Sequence, residues 1–396
     1  MLRLSALFFS TAMLVCQAAD TIAILPLFNL NEAKSTNLDW IGESVAETIH
    51  ESLSSAGLLV LAREDREEVY HRLAIRSGVI LTKASVIKIG ETLDAGQVIF
   101  GEFKVEGAES GNTNLKSSTR LTLHVIDLKK LKEAALLEQT GPLENLSQME
   151  MKLAWLLLRQ LAPASAPVEA DFLRYRPAVR VDAMESFVRG LMAATVEQKI
   201  KLFSQAARID DHFSQPDFQL GRIFFAKKEY KTAAGWLAKV TRADSHFTEA
   251  AFLLGICNYY ENNFEGAVLQ FRMVAMEVPL NEVFNNLGAA LSRRNDPASL
   301  DNFKKALEGD QADPDYWFNV GYELWKQGQF TQAADKFRAV LDRNRNDQEA
   351  TAMLGRCIKM DAPRAGDQKT EGRERIKTAF EDSAFRQLKA ELQAKQ

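Results

Sequence analysis

Apolar and polar positions change rhythm twice along the chain, and the changes mark off its parts. Residues Met1 to Ala19 carry one charge, Arg3, then a mainly apolar run from Leu4 to Val15 and the small-residue stretch Cys16-Gln17-Ala18-Ala19. About a dozen apolar residues fall short of the roughly 20 that a helix needs to span a bilayer. The layout therefore predicts a secretory signal over 1–19, cleaved near Ala18 or Ala19. From Asp20 the rhythm becomes that of a mixed α/β unit reaching residue 162. Thr21 to Asn29 reads as a buried strand, and Ile41, Val45, Ile49 and Leu53 recur every fourth position, one face of a helix over about Leu38 to Ser55. A strand at Leu58 to Ala62, helices near Glu64 to Ile75 and Lys83 to Leu93, and a strand at Gln97 to Val105 follow. In Arg120 to Asp127, Leu121, Leu123 and Val125 alternate with other residues, as in a strand with one buried face. Gly107 to Asn114 has the composition of a hairpin loop. A weaker strand at Ala134 to Gln139 and a helix from Leu146 to Leu161, with Asn145 as its cap, close the unit.

Beyond a linker over 163–180, marked by Pro163-Ala-Ser-Ala-Pro167, the period lengthens. Gly190, Gly221, Gly255, Gly288, Gly321 and Gly355 are spaced by 31, 34, 33, 33 and 34 residues. Leu237, Phe271, Phe303 and Phe337 follow about sixteen residues behind, each with a small residue four positions earlier: Ala233, Ala267, Ser299 and Ala333. A period near 34 predicts stacked helix pairs, the glycine allowing two helices to approach and the large residue filling the space between them. This pattern resembles the tetratricopeptide repeat over about 181–360, roughly five repeats. The fold class expected is thus an α/β amino-terminal domain, a mixed sheet with helices, followed by an all-α tetratricopeptide-type solenoid.

The first unit carries a second resemblance. Ile22-Ala-Ile-Leu-Pro-Leu-Phe-Asn29, Trp40-Ile-Gly-Glu-Ser-Val-Ala-Glu47, Leu58-Leu-Val-Leu-Ala-Arg63 and Val98-Ile-Phe-Gly-Glu-Phe103 resemble successive elements of the domain shared by FlgO-like proteins and the TolB amino-terminal-like fold. That resemblance implies an envelope-associated assembly or accessory module rather than an enzyme.

A stack of helix pairs forms a curved groove lined mainly by the first helix of each pair. Projecting the repeat register places Arg222, Tyr259, Asn285, Asn286, Arg293, Asn319, Tyr322, Trp325 and Lys326 on or near the concave side, with Phe225, Phe252, Tyr260 and Phe318 beside them. Aromatic rings give stiff contact area, Asn offers a donor and an acceptor to an extended peptide, and Arg or Lys can hold a carboxylate. The aromatics fit ordinary inter-repeat packing equally well; adjacent asparagines are a poor way to fill a core. The Lys/Asn/Lys/Arg clamp of chaperone-binding tetratricopeptide proteins is not reproduced, so a free peptide carboxylate is not implied. In the tail, 361–396, a breaker segment from Asp361 to Asp367 precedes Ile376, Phe380, Phe385 and Leu388, whose spacing predicts a helix over Arg373 to Gln393 that caps the last repeat; a partner-binding helix is the alternative.

Composition narrows the function classes. Hydrophobic residues are 46% and charged residues 26% of 396, the make-up of a folded globular chain. A net charge of -4 gives no field to concentrate polyanions, so nucleic acid is not an expected partner. Three cysteines and five histidines are too few for a disulfide framework or a Cys-rich zinc scaffold, and Cys257 and Cys357 read as small buried hydrophobes. Phosphate-loop, dinucleotide, zinc-helix and nucleophile-elbow motifs are absent. Glu47/His50 and Glu68/His71 each place a carboxylate and an imidazole on one helical face, but a strand between them argues for solvated surface rather than a di-metal bundle. His124 is expected on the open sheet face, and His212 and His246 at repeat ends. No catalytic residue, metal or cofactor is expected. The reading is a non-catalytic exported adaptor, periplasmic or otherwise exported, whose groove binds a protein or extended peptide and whose α/β domain docks to or assists an envelope component. A small-molecule sensor or unrecognised enzyme in the α/β domain is the alternative function, and a lipoprotein tethered through Cys16 the alternative location.

Overall fold

The computed structural model describes residues 21–31, 38–76, 79–106, 118–174, 178–242, 244–364 and 366–381, with 384, 385, 388 and 392. The expected signal segment and the hairpin loop Gly107 to Asn114 lie outside the described residues.

Short strands β1 (Ile22–Ile24) and β2 (Phe28–Asn29) run parallel to the long strand β3 (Gln97–Glu106). Pro26, which has no N–H to give, sits in the break between them, so the single expected strand from Thr21 is split. The ladder continues antiparallel through β4 (Ser118–Asp127), which pairs with β5 (Lys132–Glu133) and β6 (Leu137–Pro142). Leu58 to Ala62 contributes a single parallel bridge, Ile22 with Val60, rather than a strand. Helices cover both sheet faces. Ile99, Phe103, Leu121, Leu123 and Val125 face α1 (Trp40–Ser55) and α4 (Leu146–Leu161). Val98, Phe100 and Ile126 face α2 (Arg63–Arg72) and α3 (Lys83–Thr92). That two-faced burial follows from the period-2 alternation in β3 and β4. At Gly42 the α1 backbone touches the chain beside β1; a Cβ there would lie 2.1 Å from the Leu27 carbonyl oxygen. Asn145 makes no side-chain cap bond to α4, because a 3-10 turn over Leu143–Asn145 already leads into the helix.

In its described residues, the linker over 163–180 is docked against the α/β unit. After a turn at 163–165, α5 (Glu169–Arg174) buries Phe172, and the Trp155 indole N–H donates to the Pro167 carbonyl at 3.0 Å. Apolar side chains on both sides of Pro163 to Pro167 outweigh the stiffness of its prolines.

The remaining helices form antiparallel pairs: α6 (Val181–Met192) with α7 (Val196–Ile209), α8 (Gln215–Ala226) with α9 (Tyr230–Leu237), α10 (Phe247–Tyr260) with α11 (Phe264–Glu277), α12 (Asn281–Arg293) with α13 (Ser299–Gly309), and α14 (Pro314–Lys326) with α15 (Phe330–Arg343). A last helix, α16 (Gln348–Ile358), packs on α15. The repeat glycines from Gly190 to Gly321 lie where sequence spacing puts them, at a crossing; Gly355 does not. Cβ atoms built on Gly190, Gly255 and Gly288 would meet the rings of Phe203, Phe271 and Phe303 at 2.5 to 2.7 Å, and one on Gly221 would meet Leu237 at 2.5 Å. Gly355 has nothing within 4 Å. The first-to-second-helix turns also repeat: Lys228, Asn262, Asn295 and Gly328 all take positive φ, from 54° to 76°, the left-handed residue that ends a helix.

The α/β unit and the array share one core. Phe187, Val188, Phe203 and Leu220 join the cluster that holds α1 and α4. At the junction Glu51 of α1 accepts from the Ser245 amide and hydroxyl, each at 2.5 Å, and His246 Nδ1 lies 3.1 Å from Asp244 and 3.7 Å from Glu51. His246 also stacks on Phe218. Burial opposes its charge, but Asp244 and Glu51 raise its pKa to about 9. His246 is thus a structural junction and not a surface residue, because α1 packs over the repeat end that carries it. His124 is half-buried on the sheet, stacked on Phe100 and 2.6 Å from Glu133.

Gly288→Ala should lower stability in urea unfolding by about 1–3 kcal/mol, because the buried Phe303 ring must move, whereas Gly355→Ala should leave it unchanged or raise it by up to about 1 kcal/mol. Glu150 of α4 is fully buried, accepts from the Thr48 hydroxyl at 2.8 Å, and is pushed up to about 7 by burial. The folded state then holds the proton more tightly than the unfolded chain, so this contribution is complete below about pH 4.5 and lost as pH rises towards 7. Glu150→Gln should flatten that slope and raise stability at pH 8 by about 1–3 kcal/mol; an unaltered profile would exclude the buried carboxyl as its source.

Candidate functional site: a groove filled by the chain's own tail

The inner helices α10, α12 and α14 present a line of polar and aromatic groups, and the tail crosses it. Past α16 the chain turns back. The Trp325 indole N–H donates to the Asp361 carbonyl at 2.8 Å, and the Tyr322 hydroxyl to the Thr370 carbonyl at 2.7 Å. Gly372, at φ +70°, presses against Arg293, where a Cβ would be 2.4 Å from the guanidinium. Arg373 to Glu381 is not helical and runs from the later repeats to the earlier ones. The expected helix over Arg373 to Gln393 is therefore absent from this stretch, because its main-chain groups pair with asparagines across the groove.

Asn286 and Asn319 stand 33 residues apart, each two positions before its repeat glycine. Each makes the same pair of bonds to alternate tail residues. The Asn319 side-chain amide donates to the Arg375 carbonyl at 2.7 Å and accepts from the Arg375 N–H at 2.8 Å. Asn286 does likewise with Lys377, both at 2.7 Å. Asn285 donates to the Arg375 carbonyl at 2.8 Å and accepts from Asn319 at 2.7 Å. All three are fully buried. A carboxamide matches the donor and acceptor of one peptide unit, and engaging residues i and i+2 on one side requires an extended chain.

Side-chain recognition is added to this. The Arg375 guanidinium meets Asp347 bidentately at 2.8 and 2.9 Å, reaches Asp315 and Glu349 at 3.2 Å each, and lies 3.7 Å above the Phe318 ring. Lys377 Nζ lies 2.6 Å from Asp313 and 2.7 Å from Asp315. Burial works against the charge on Asp347, yet Arg375 and the Ala350 amide hold it below the usual carboxylate range. Glu374 is buried, with Ser292 Oγ at 2.8 Å and the Tyr259 hydroxyl at 3.4 Å, and burial holds its carboxyl above that range. Phe380 packs edge-on against Phe252 with centroids 5.0 Å apart.

Of the residues read from the repeat register, Asn285, Asn286, Asn319, Tyr259, Tyr322, Trp325 and, at Gly372, Arg293 touch the tail directly. Lys326 donates to the Ser292 carbonyl and hydroxyl, and Arg293 lies over the Phe264 ring. Arg222 is exposed, 3.9 Å from Glu249, and is not brought to this line. Tyr260 stacks on Tyr230 instead, and Phe225 packs edge-on against the same ring. Phe252, Phe318, Tyr322 and Trp325 are buried members of the continuous inter-repeat core, and their inner edges also meet the tail. The acidic cage of Asp313, Asp315, Asp347 and Glu349 went unread in the sequence. Its signal was there: Asp313 and Asp347, one repeat apart at 34 residues, cap α14 and α16, which sets carboxylates at adjacent inner-helix starts.

Comparison with known proteins agrees with the repeats. The family model for the tetratricopeptide repeat matches residues 288–347 and 318–358. The chain thus carries tetratricopeptide repeats there, in an α/β-plus-solenoid architecture. A curated relative, the tetratricopeptide repeat-containing protein trd-1 of Caenorhabditis elegans, is 23% identical over 201 residues, 46% of this chain but only 26% of that protein. Among solved structures, YrrB, described as a TPR protein with an unusual peptide-binding site, is 19% identical, with 40% of this chain and 92% of that one covered and a TM-score of 0.33. MamA 41-end from Desulfovibrio magneticus RS-1 is 18% identical over 40% of this chain and 92% of its own, with a TM-score of 0.36.

Replacing Asn319 by Ala removes both bonds to Arg375, so hydrogen exchange at the Arg375 amide should quicken roughly tenfold or more. Amides within α15 should keep their protection. Unchanged exchange at Arg375 would show that the asparagine does not hold the tail.

Proposed function

We propose that the chain is a non-catalytic, exported scaffold that holds an extended segment of a partner protein in the concave face of its repeats, while the α/β domain docks to or assists assembly of an envelope component. Tetratricopeptide repeats serve as protein-interaction scaffolds, which supports the first part. The observation that carries it is the pair of asparagines one repeat apart, each bonded to both main-chain groups of alternate residues in an extended segment. Such bonding recognises peptide backbone whatever its origin. The composition of Met1 to Ala19 supports export, and no helix among the described residues is long and apolar enough to cross a membrane. The resemblance of residues 20–162 to FlgO-like and TolB amino-terminal domains supports the envelope role. For a small-molecule sensor or enzyme, one open cleft of about 430 Å³ lies beside α2, where Glu68 and Arg72 already pair at 2.7 Å.

A photocrosslinking residue at Glu282, whose carboxylate meets the Glu381 amide at 3.3 Å, should capture a discrete protein in the native cell. The same residue at Met276, 87% exposed, should not. Equal capture at both positions would remove the groove as the binding surface. Export predicts a mature amino terminus near Asp20 in an extracytoplasmic fraction, and a chain retaining Met1 in the cytoplasm would overturn it.

A further inference from the structure

We propose that Arg373 to Glu381 is an internal stand-in for the partner: the groove takes an extended segment with two basic side chains two residues apart and an aromatic ring three residues beyond, and such a segment competes with the tail. This rests on the groove being a peptide-binding surface, and adds what it binds and what guards it.

Charge selects the occupant. Arg375 bridges Asp347 and Asp315, while Lys377 bridges Asp315 and Asp313. With the tail withdrawn, these carboxylates and Glu349 would face one another across adjacent helix ends without a cation between them. Like charges in a partly buried site repel, so an open groove selects a basic occupant. An acidic or neutral segment could use the asparagines but would leave the cage unpaired.

Spacing comes next. Asn286 and Asn319 engage residues two apart, so the side chains of those residues point the same way, towards one cage. The intervening Ile376 belongs to the apolar groups packed on the core, and Phe380 reaches Phe252 of the earlier repeat. The pattern read is therefore basic, apolar, basic, then aromatic.

Competition follows from the tether. Residues 359–372, fourteen in all, separate α16 from this segment, and a short tether of that kind holds a ligand at an effective concentration of about millimolar. A free segment of equal intrinsic affinity is weakened in proportion to the fraction of time the groove stands open. A partner must exceed the tail in contacts, or bring a second anchor.

The test uses the full chain and a fluorescent peptide with the sequence of residues 371–381. The full chain carrying Arg375→Glu and Lys377→Glu, its opening verified by faster exchange of the 375 and 377 amides, should bind this peptide at least about tenfold more tightly than the unaltered chain. A peptide with both basic residues replaced by Glu should bind neither. Equal affinity of both chains would show that the tail does not compete, and equal affinity for both peptides would show that charge is not read. An opened chain that captures no extended peptide of any sequence would sink the groove reading itself. Tail exchange between copies, seen as a dimer in sedimentation of the unaltered chain, would overturn the competition within one molecule. Should the doubly substituted chain not fold, a protease site placed in the exposed stretch 362–364 of the folded protein gives the same comparison: cutting it should raise peptide affinity by a similar factor, and no gain would overturn the proposal.

Discussion

The close crossing of two helices at the repeat glycines from Gly190 to Gly321 is the constraint from which the rest of the array follows. Where a side chain would stand, the ring of Phe203, Phe271 or Phe303 stands instead. The first helix of each pair is thereby held against the second at a repeated distance, and the inner helices line up with equivalent positions in register. Only because of that register do Asn286 and Asn319 offer the same amide twice, at a separation that suits alternate residues of an extended chain. The crossing and the binding line are one geometric fact at two radii.

That geometry has a cost in exposed polarity, and the tail offsets it. Three buried asparagines and a set of inner carboxylates would be expensive in a closed core. Here they are satisfied by main-chain groups and two cations of the segment from Arg373 to Glu381. The tail is thus part of the folded molecule's hydrogen bonding, while its contacts are of the kind a separate peptide would make. At the other end of the array, continuity with the α/β unit comes from apolar packing of α1 and α4 on the first repeats, reinforced by Glu51, Asp244 and His246. One end of the solenoid is sealed by a domain, and its inner face by a strand-like tail.

Much of the fold was legible because it rests on periodic patterns. Alternation along Leu121, Leu123 and Val125 marks a sheet face, and four-residue spacing along Ile41 to Leu53 marks the helix that covers it. The glycines mark the crossings. Asparagines at the inner line stood out because they are unsuited to ordinary core. Less visible was anything depending on a bond between distant segments. Ile376, Phe380, Phe385 and Leu388 are spaced like a helical stripe, yet competition from Asn286 and Asn319 for the same backbone groups draws Arg373 to Glu381 out as a non-helical, extended segment.

By itself, then, the chain's order of residues determined the helix pairs, the sheet's two faces and the inner position of the asparagines, because each is encoded within one element or one repeat period. Tertiary structure alone decided that the linker packs down, that His246 lies at a junction, and that the groove is filled by its own tail. Those outcomes depend on groups up to 194 residues apart, as between Glu51 and Ser245, and local pattern carries no record of which distant partner meets a hydrogen-bonding or charged group.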